Sequence, residues 1–345
     1  MMNPVAIRLL SQQLISQQFT SPVEVVAHMG AMQAQDYRMV RWAVEMRTRK
    51  PSLQEFQKAY NSGKIIRLHL LRGTWQLVAG EDYWWMLDLC APNARRIING
   101  WMKSNHITID DRELHSIREV LIKVTDDKKS ATKDDFAEAL TAKGIIMDNH
   151  RLSYHIRMAE LSGTLCSGNL SPMKATYALA DKKVMRTPKL DREEMLMWLA
   201  RKYFQSHSPA TFEDFVWWTG MNYTDCRRGM ELLSAELHKE TWRGYTFYLL
   251  ASCRTKGFRK GTTLLLPPFD EYLIGYKSRG LVIASEHTSH AYTKNGIFFP
   301  VIVHDGTICG NWEPWKKQLQ ISFFDNSKEW KTPVKQWNTF CKTKE

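Results

Sequence analysis

The chain has 345 residues, 43% of them hydrophobic and 24% charged, with a formal net charge of +12; that length exceeds one small module, and that composition excludes a disordered or fibrous chain. No run approaches the roughly 18 apolar residues of a bilayer span, and MMNPVAIRLLSQQ has no apolar signal core, so neither membrane insertion nor secretion is expected and the expected address is cytoplasmic. The excess of 48 Lys and Arg over 36 Asp and Glu predicts an anionic partner, the alternative being a basic surface that is merely solvated.

Two helices are predicted first, from about residue 4 to 18 and from Ser21 and Pro22 to Met32. A junction, His28 to Tyr37, leads into the helical pattern VRWAVEMR. Ser52-Leu-Gln-Glu55-Phe56 then opens a helix that runs into KIIRLHLL and TWQLV, a hairpin turning at Arg72 and Gly73. ELHSIREVLIKV has helical spacing, and Thr132-Lys-Asp-Asp135-Phe136 starts a helix that stops at Gly144. The next helix, about 150 to 161, sets Leu152, Ile156 and Ala159 on one side and His150, Arg151, His155 and Arg157 largely elsewhere. Two strand-like runs follow, TLCSG and ATYALAD. The order then repeats: EEMLMWLARKYFQ, a helix from Thr211-Phe-Glu-Asp214-Phe215 to Gly220, a helix from about Thr224 carrying Arg227 and Arg228, and a hairpin about Arg243 and Gly244. From about Thr262 the texture is strand-rich, with a turn signal at Asp305 and Gly306, and is expected to pack on the last hairpin.

The three openings share one pattern, a hydroxyl residue, an acid three positions on and then Phe, with 80 residues from Ser52 to Thr132 and 79 from Thr132 to Thr211. Each is a capping box, in which the hydroxyl accepts an orphan backbone N–H and the carboxylate reaches back to the cap. Helix, helix, helix, hairpin is the order of a winged helix, against the alternative of an unrelated helical bundle with hairpins. The expected fold is α+β, three tandem winged-helix motifs plus a C-terminal β-rich extension, with units at residues 1–105, 106–185, 186–260 and 261–345. In a winged helix the third helix can enter the major groove while the hairpin touches the backbone. With the net charge, such an array predicts double-stranded DNA as partner and a monomer as the working state. Six cysteines without a CxxC pair and eleven dispersed histidines predict no metal and no cofactor.

Chemistry is sought at the junction. If Gln33 and Gln35 are extended, their side chains fall on one side and two amides converge on one pocket. An amide is no general base, yet it can orient a water. That suffices when the leaving group is already activated, as with a purine made cationic by alkylation at N3 or N7, whose glycosidic bond breaks through an oxocarbenium-like state. The plain alternative is two polar residues at a helix end.

The runs MQAQD, IRLHLLRGTWQLVAGEDYWWML, AELSGTLCSGNLSP with TYALAD, FEDFVWWTGM, LLLPPFDEYLIGY and HDGTICGNWEPW, in order over about residues 3 to 320, resemble the AlkZ-like winged-helix DNA glycosylases. These bacterial proteins remove alkylated bases and can unhook interstrand crosslinks. Their catalytic Gln-x-Gln motif matches Gln33 and Gln35, whereas a sister branch resembling YcaQ carries Asp at the second position. The chain departs from an RGT-x-His-Leu pattern of the family, with Gln76 where His is expected, which bears on lesion preference.

The resemblance implies a monofunctional glycosylase of cationic or bulky alkylated purines, crosslinks included, associated with the nucleoid. Gln35 would orient the attacking water with Gln33 as its partner. Asp36 is expected either as electrostatic support or as an N-cap. Arg67, Arg72, Thr74 and Gln76 on the first hairpin, Tyr37, Arg151, Arg157, Arg227 and Arg228 are the expected DNA contacts, Arg72 being otherwise an exposed turn residue and Trp42 a core residue. Asp270 belongs to a motif without an assigned role. A non-catalytic winged-helix regulator is the rival; a metal-dependent nuclease is set aside because Asp110-Asp111 and Asp126-Asp127 have no matching carboxylates.

Overall fold

Each hydroxyl and acid signature starts a helix. In the computed structural model, which describes residues 3–314, 319–325 and 334–342, Thr132 Oγ1 accepts the Asp135 N–H at 3.2 Å while Asp135 Oδ2 accepts the Thr132 N–H at 2.6 Å, opening Lys133–Thr141. Thr211 and Asp214 do the same at 3.1 Å in both directions, opening Phe212–Thr219, which closes at Gly220. The first copy differs. Ser52 Oγ accepts the Glu55 N–H at 3.3 Å, but the Ser52 N–H is taken by the buried carboxylate of Glu45.

The chain divides into two units, Gln57–Met195 on its own and Met1–Phe56 together with Leu196–Glu345. In the first of these, strands Ile65–His69 and Trp75–Ala79 pair antiparallel from Ile65 opposite Ala79 to His69 opposite Trp75. Helices Tyr83–Ser104, Asp111–Lys128, Lys133–Thr141 and Asn149–Leu161 follow. The 22-residue Tyr83–Ser104 helix, which contains Pro92, has no counterpart among the predicted elements. A small sheet places Thr176–Leu179 between Ala131–Thr132 and Leu165–Ser167. Leu121, Phe136, Leu140, Leu152, Ile156 and Leu165 meet in one core, so the helical spacing read from the sequence is the face that packs.

In the other unit, Phe212–Thr219 and Tyr223–Leu232 are followed by the hairpin Leu237–Trp242 and Tyr245–Leu250, with Trp242 opposite Tyr245. Its two-residue turn, Arg243 and Gly244, holds φ of 49° and 78°, the primed geometry that matches strand twist and that glycine adopts without strain. Asp305 and Gly306 turn Val301–His304 into Thr307–Glu313 in the same way. Those strands sit in a four-stranded antiparallel sheet between Thr263–Leu266 and Gln320–Phe323.

One expectation is corrected here. The β-rich region packs chiefly on the N-terminal helices, because Leu9, Leu10, Leu14, Met39 and Trp42 share a core with Leu265, Tyr272, Val301, Val303 and Trp312. Ile7, Phe247 and Leu249 form a smaller cluster at the last hairpin, with the partly buried Leu281 against it. The sheet buries its large apolar face against the helices that offer the larger apolar surface. Among the described residues no helix is long and apolar enough to cross a membrane.

Candidate active site and nucleic-acid interface

The Gln-x-Gln segment leaves helix Pro22–Met29 through Gly30, whose φ is 75°. A Cβ there would meet the Lys202 side chain at 2.7 Å, so the turn requires glycine on two counts. The extended stretch is only Met32–Gln33. Gln33 is buried and Gln35 exposed, so the two side chains occupy different environments rather than one pocket: the strand ends after Gln33 and the chain bends at Gln35. Asp36 Oδ1 accepts the N–H groups of Arg38 at 2.9 Å and Met39 at 3.0 Å. Asp36 thus closes the turn that precedes Val40–Glu45, a helix whose own N-cap is Met39 without a side-chain bond, so it caps a turn and not the helix itself.

What holds this segment comes from residues far away in sequence. The Gln33 N–H donates to Glu271 Oε1 at 2.6 Å. Glu271, itself buried, receives the Trp218 indole N–H on Oε2 at 3.2 Å and His207 Nε2 on the same oxygen at 3.1 Å. Donors on both oxygens suit the ionised carboxylate. Tyr203 stacks on His207 with centroids 4.7 Å apart and planes 12° apart. Next to Glu271, Asp270 caps Glu271–Ile274 through the Tyr272 N–H at 2.9 Å and grips Arg47 with both oxygens, at 2.8 and 2.9 Å. The motif without an assigned role is therefore a buried clamp. Sequence reasoning missed Glu271, His207, Trp218 and the partnership of Arg47; the signal was present in FDEYLIGY and FVWWTG, acidic and aromatic blocks that surface chemistry does not explain.

His28, just before Gly30, has Nε2 on the Ser11 carbonyl at 2.7 Å and Nδ1 facing the Gln205 amide Nε2 at 2.9 Å. Burial pushes its pKa down to about 4, so it stays neutral and Nε2 is the donor. Trp42 is core, as expected, and donates Nε1–H to the Leu265 carbonyl at 2.8 Å. Tyr37 is half-buried with the Arg41 guanidinium over its ring at 5.2 Å.

The first hairpin is placed differently from expectation. Arg67 and Gln76 are buried, because Ile65–His69 is covered on both faces. Arg67 lies over the Trp75 ring at 3.7 Å, and Gln76 Nε2 donates to Thr74 Oγ1 at 3.0 Å. Thr74 Oγ1 in turn donates to the Leu71 carbonyl at 3.0 Å. Arg72, half-buried with φ of 55°, is in the loop as expected.

Behind the hairpin, His69 Nδ1 meets Glu160 Oε2 at 2.5 Å. Full burial pushes the Glu160 pKa up to about 8 although Arg67 and Arg157 oppose it, and the same burial holds His69 well below its ordinary value. At neutral pH the contact is a neutral hydrogen bond, the acid O–H donating to the imidazole. Since the native pKa lies above the ordinary value of 4.5, the folded state keeps a proton that the unfolded chain releases, and this group's stabilisation is complete below 4.5 and lost as pH rises towards 8. Against Glu160→Gln, wild-type unfolding free energy should fall across that window with a slope of up to about 1.4 kcal/mol per pH unit. Urea unfolding of both proteins from pH 4 to 9 checks this, and parallel curves refute it.

Arg151 is tied to both oxygens of Glu113 and to the Thr108 carbonyl, and Arg157 is half-buried. Arg227 and Arg228 are exposed on Tyr223–Leu232. Arg227, Lys239, Tyr245 and Tyr248 line a groove of about 590 Å³ between that helix and the last hairpin. Among the described residues no group of His, Cys, Asp and Glu is arranged to hold a metal ion.

A family model described as DNA glycosylase AlkZ-like matches residues 26–323. An interstrand DNA cross-link repair glycosylase of Streptomyces sahachiroi is 25% identical over 338 residues, covering 91% of this chain and 87% of that protein. The solved structure of the Streptomyces sahachiroi DNA glycosylase AlkZ superimposes with a TM-score of 0.72 at 22% identity, covering 96% of this chain and 92% of that one, a likeness of fold.

Proposed function

Since this chain belongs to the AlkZ-like family of DNA glycosylases, we propose that it hydrolyses the N-glycosidic bond of purines alkylated at N3 or N7, bulky adducts and interstrand crosslinks included. The bond from C1′ to the base nitrogen breaks first, the electron pair leaving with a base that its positive charge makes a good leaving group. Water then adds to C1′ of the oxocarbenium-like sugar and releases its proton to solvent, leaving an abasic site. Gln35 orients that water and stabilises the sugar cation, Gln33 supports it, and Tyr37 lies beside the base. Asp36 acts through the turn it caps, with its negative charge next to the pair. Phosphates are held by Arg72 in one unit and by Arg227 and Arg228 in the other, and residues 1–105, 106–185 and 186–260 are taken as three winged-helix repeats.

The observation that carries this reading is the exposed Gln35 at the end of a segment fixed by buried contacts, because an exposed amide on rigid backbone suits orienting a water. Duplex DNA carrying N7-methylguanine tests it. Free N7-methylguanine and alkali-labile sites should accumulate together with no metal added, and a nitrogen-mustard crosslink should be unhooked. Salt-sensitive binding with no base released would leave only a DNA-binding protein and overturn the reading.

A further inference from the structure

We propose that Glu271 is a positioning residue for base release, acting through the backbone of Gln33; this rests on the reading that Gln33 and Gln35 form the hydrolytic pair. The Gln-x-Gln stretch has almost no secondary structure of its own, two residues of strand between the Gly30 turn and the Asp36 cap. A segment so short is placed by whatever anchors its peptide groups. Upstream the chain is fixed by helix Pro22–Met29, and downstream Asp36 ties the turn at Arg38 and Met39. Between them the Gln33 N–H is held at 2.6 Å by a carboxylate that is itself immobilised, since Trp218 and His207 converge on its other oxygen and Tyr203 packs the imidazole.

The carrier of that carboxylate is equally fixed. Glu271 opens a four-residue helix whose cap, Asp270, is locked to Arg47. The chain thus spends two adjacent acids on one purpose, the first securing the platform and the second holding Gln33. Loss of the carboxylate removes the acceptor of the Gln33 N–H and lets Gln35, two residues on, shift relative to the sugar. A displacement of about 1 Å in a reacting geometry lowers rate by roughly 100-fold without altering the rest of the binding surface.

The test is single-turnover release of N7-methylguanine by Glu271→Ala and Glu271→Gln, with DNA affinity measured on the same preparations. Glu271→Ala should lose about 100-fold in rate. Glu271→Gln keeps an oxygen for the Gln33 N–H and should recover to within about tenfold of wild type. Affinity should stay within about threefold for both. In a cycle with Gln35→Ala, either Glu271 substitution should add little to the loss that Gln35→Ala already causes, because both act on one group. Glu271→Ala at wild-type rate, Glu271→Gln as slow as Glu271→Ala, losses that multiply with Gln35→Ala, or affinity falling in step with rate overturns the proposal. If Glu271→Ala does not fold, Glu271→Gln alone and in the cycle decides. The two readings separate at Gln35→Ala: with wild-type rate there, the glutamine pair falls and the positioning role falls with it; with Gln35→Ala inactive and the Glu271 variants unimpaired, only the positioning role falls.

Discussion

Gln35→Ala should lower the rate of base release by about 10²- to 10³-fold while DNA affinity and folding stay close to wild type. The expectation of intact folding follows from placement. Gln35 is exposed, and the turn behind it is held by Asp36 rather than by the glutamine side chain, so truncation removes no packing and should shift stability by less than about 0.5 kcal/mol. The loss in rate follows from chemistry. A base already carrying a positive charge needs no protonation to leave, so acid catalysis has little to add; what remains is to hold water at C1′ and to meet the growing positive charge with an oxygen dipole. An amide carbonyl does both, and alanine does neither. Gln33→Ala is a less clean experiment, since Gln33 is buried and its truncation also leaves a cavity. Single-turnover release and equilibrium binding on the same lesion duplex check the prediction; wild-type release by Gln35→Ala ends the assignment.

Local hydrogen-bond chemistry made much of this fold legible. A hydroxyl three residues before an acid satisfies orphan donors wherever it occurs, so the boxes at Thr132 and Thr211 could be placed from sequence. The turns at Arg243 and Asp305 followed from a glycine next in line. Legibility ended where distant residues decide. The Ile65–His69 strand is buried on both faces, so nothing in its sequence told that Arg67 would stack on Trp75 instead of facing outwards. The Tyr83–Ser104 helix was hidden by Pro92 and by an aromatic run with no helical stripe. Glu271 lies 238 residues from Gln33, and no local rule links an acid after Asp270 to a peptide near the N-terminus. Family resemblance supplied the glutamines, whereas their support had to come from the packed structure.

Asp270→Ala should be the most destabilising single change in the clamp, at about 3 to 5 kcal/mol. Arg47 and Asp270 have side chains 0% and 1% exposed and meet through two bonds of 2.8 and 2.9 Å. Taking charges out of water is costly, and the pair recovers that cost only while both partners are present. Without Asp270 the guanidinium keeps the Ala43 carbonyl at 2.8 Å and Gln12 Oε1 at 3.1 Å, neutral acceptors that do not balance its charge. Asp270→Asn retains an oxygen for the Tyr272 cap and for one Arg47 donor, and should cost roughly half as much. Replacing both partners, Arg47→Met with Asp270→Asn, removes the buried charge and should regain at least about 1 kcal/mol relative to the sum of the single changes. Urea unfolding followed by far-ultraviolet circular dichroism reads wild type, Asp270→Ala, Asp270→Asn, Arg47→Met and the double variant. An Asp270→Ala unfolding free energy within about 1 kcal/mol of wild type would show that the pair is dispensable. Because Asp270 caps the turn that carries Glu271, Asp270→Asn should also slow base release under conditions where the chain stays folded, and that joins the stability of the platform to the placement of Gln35.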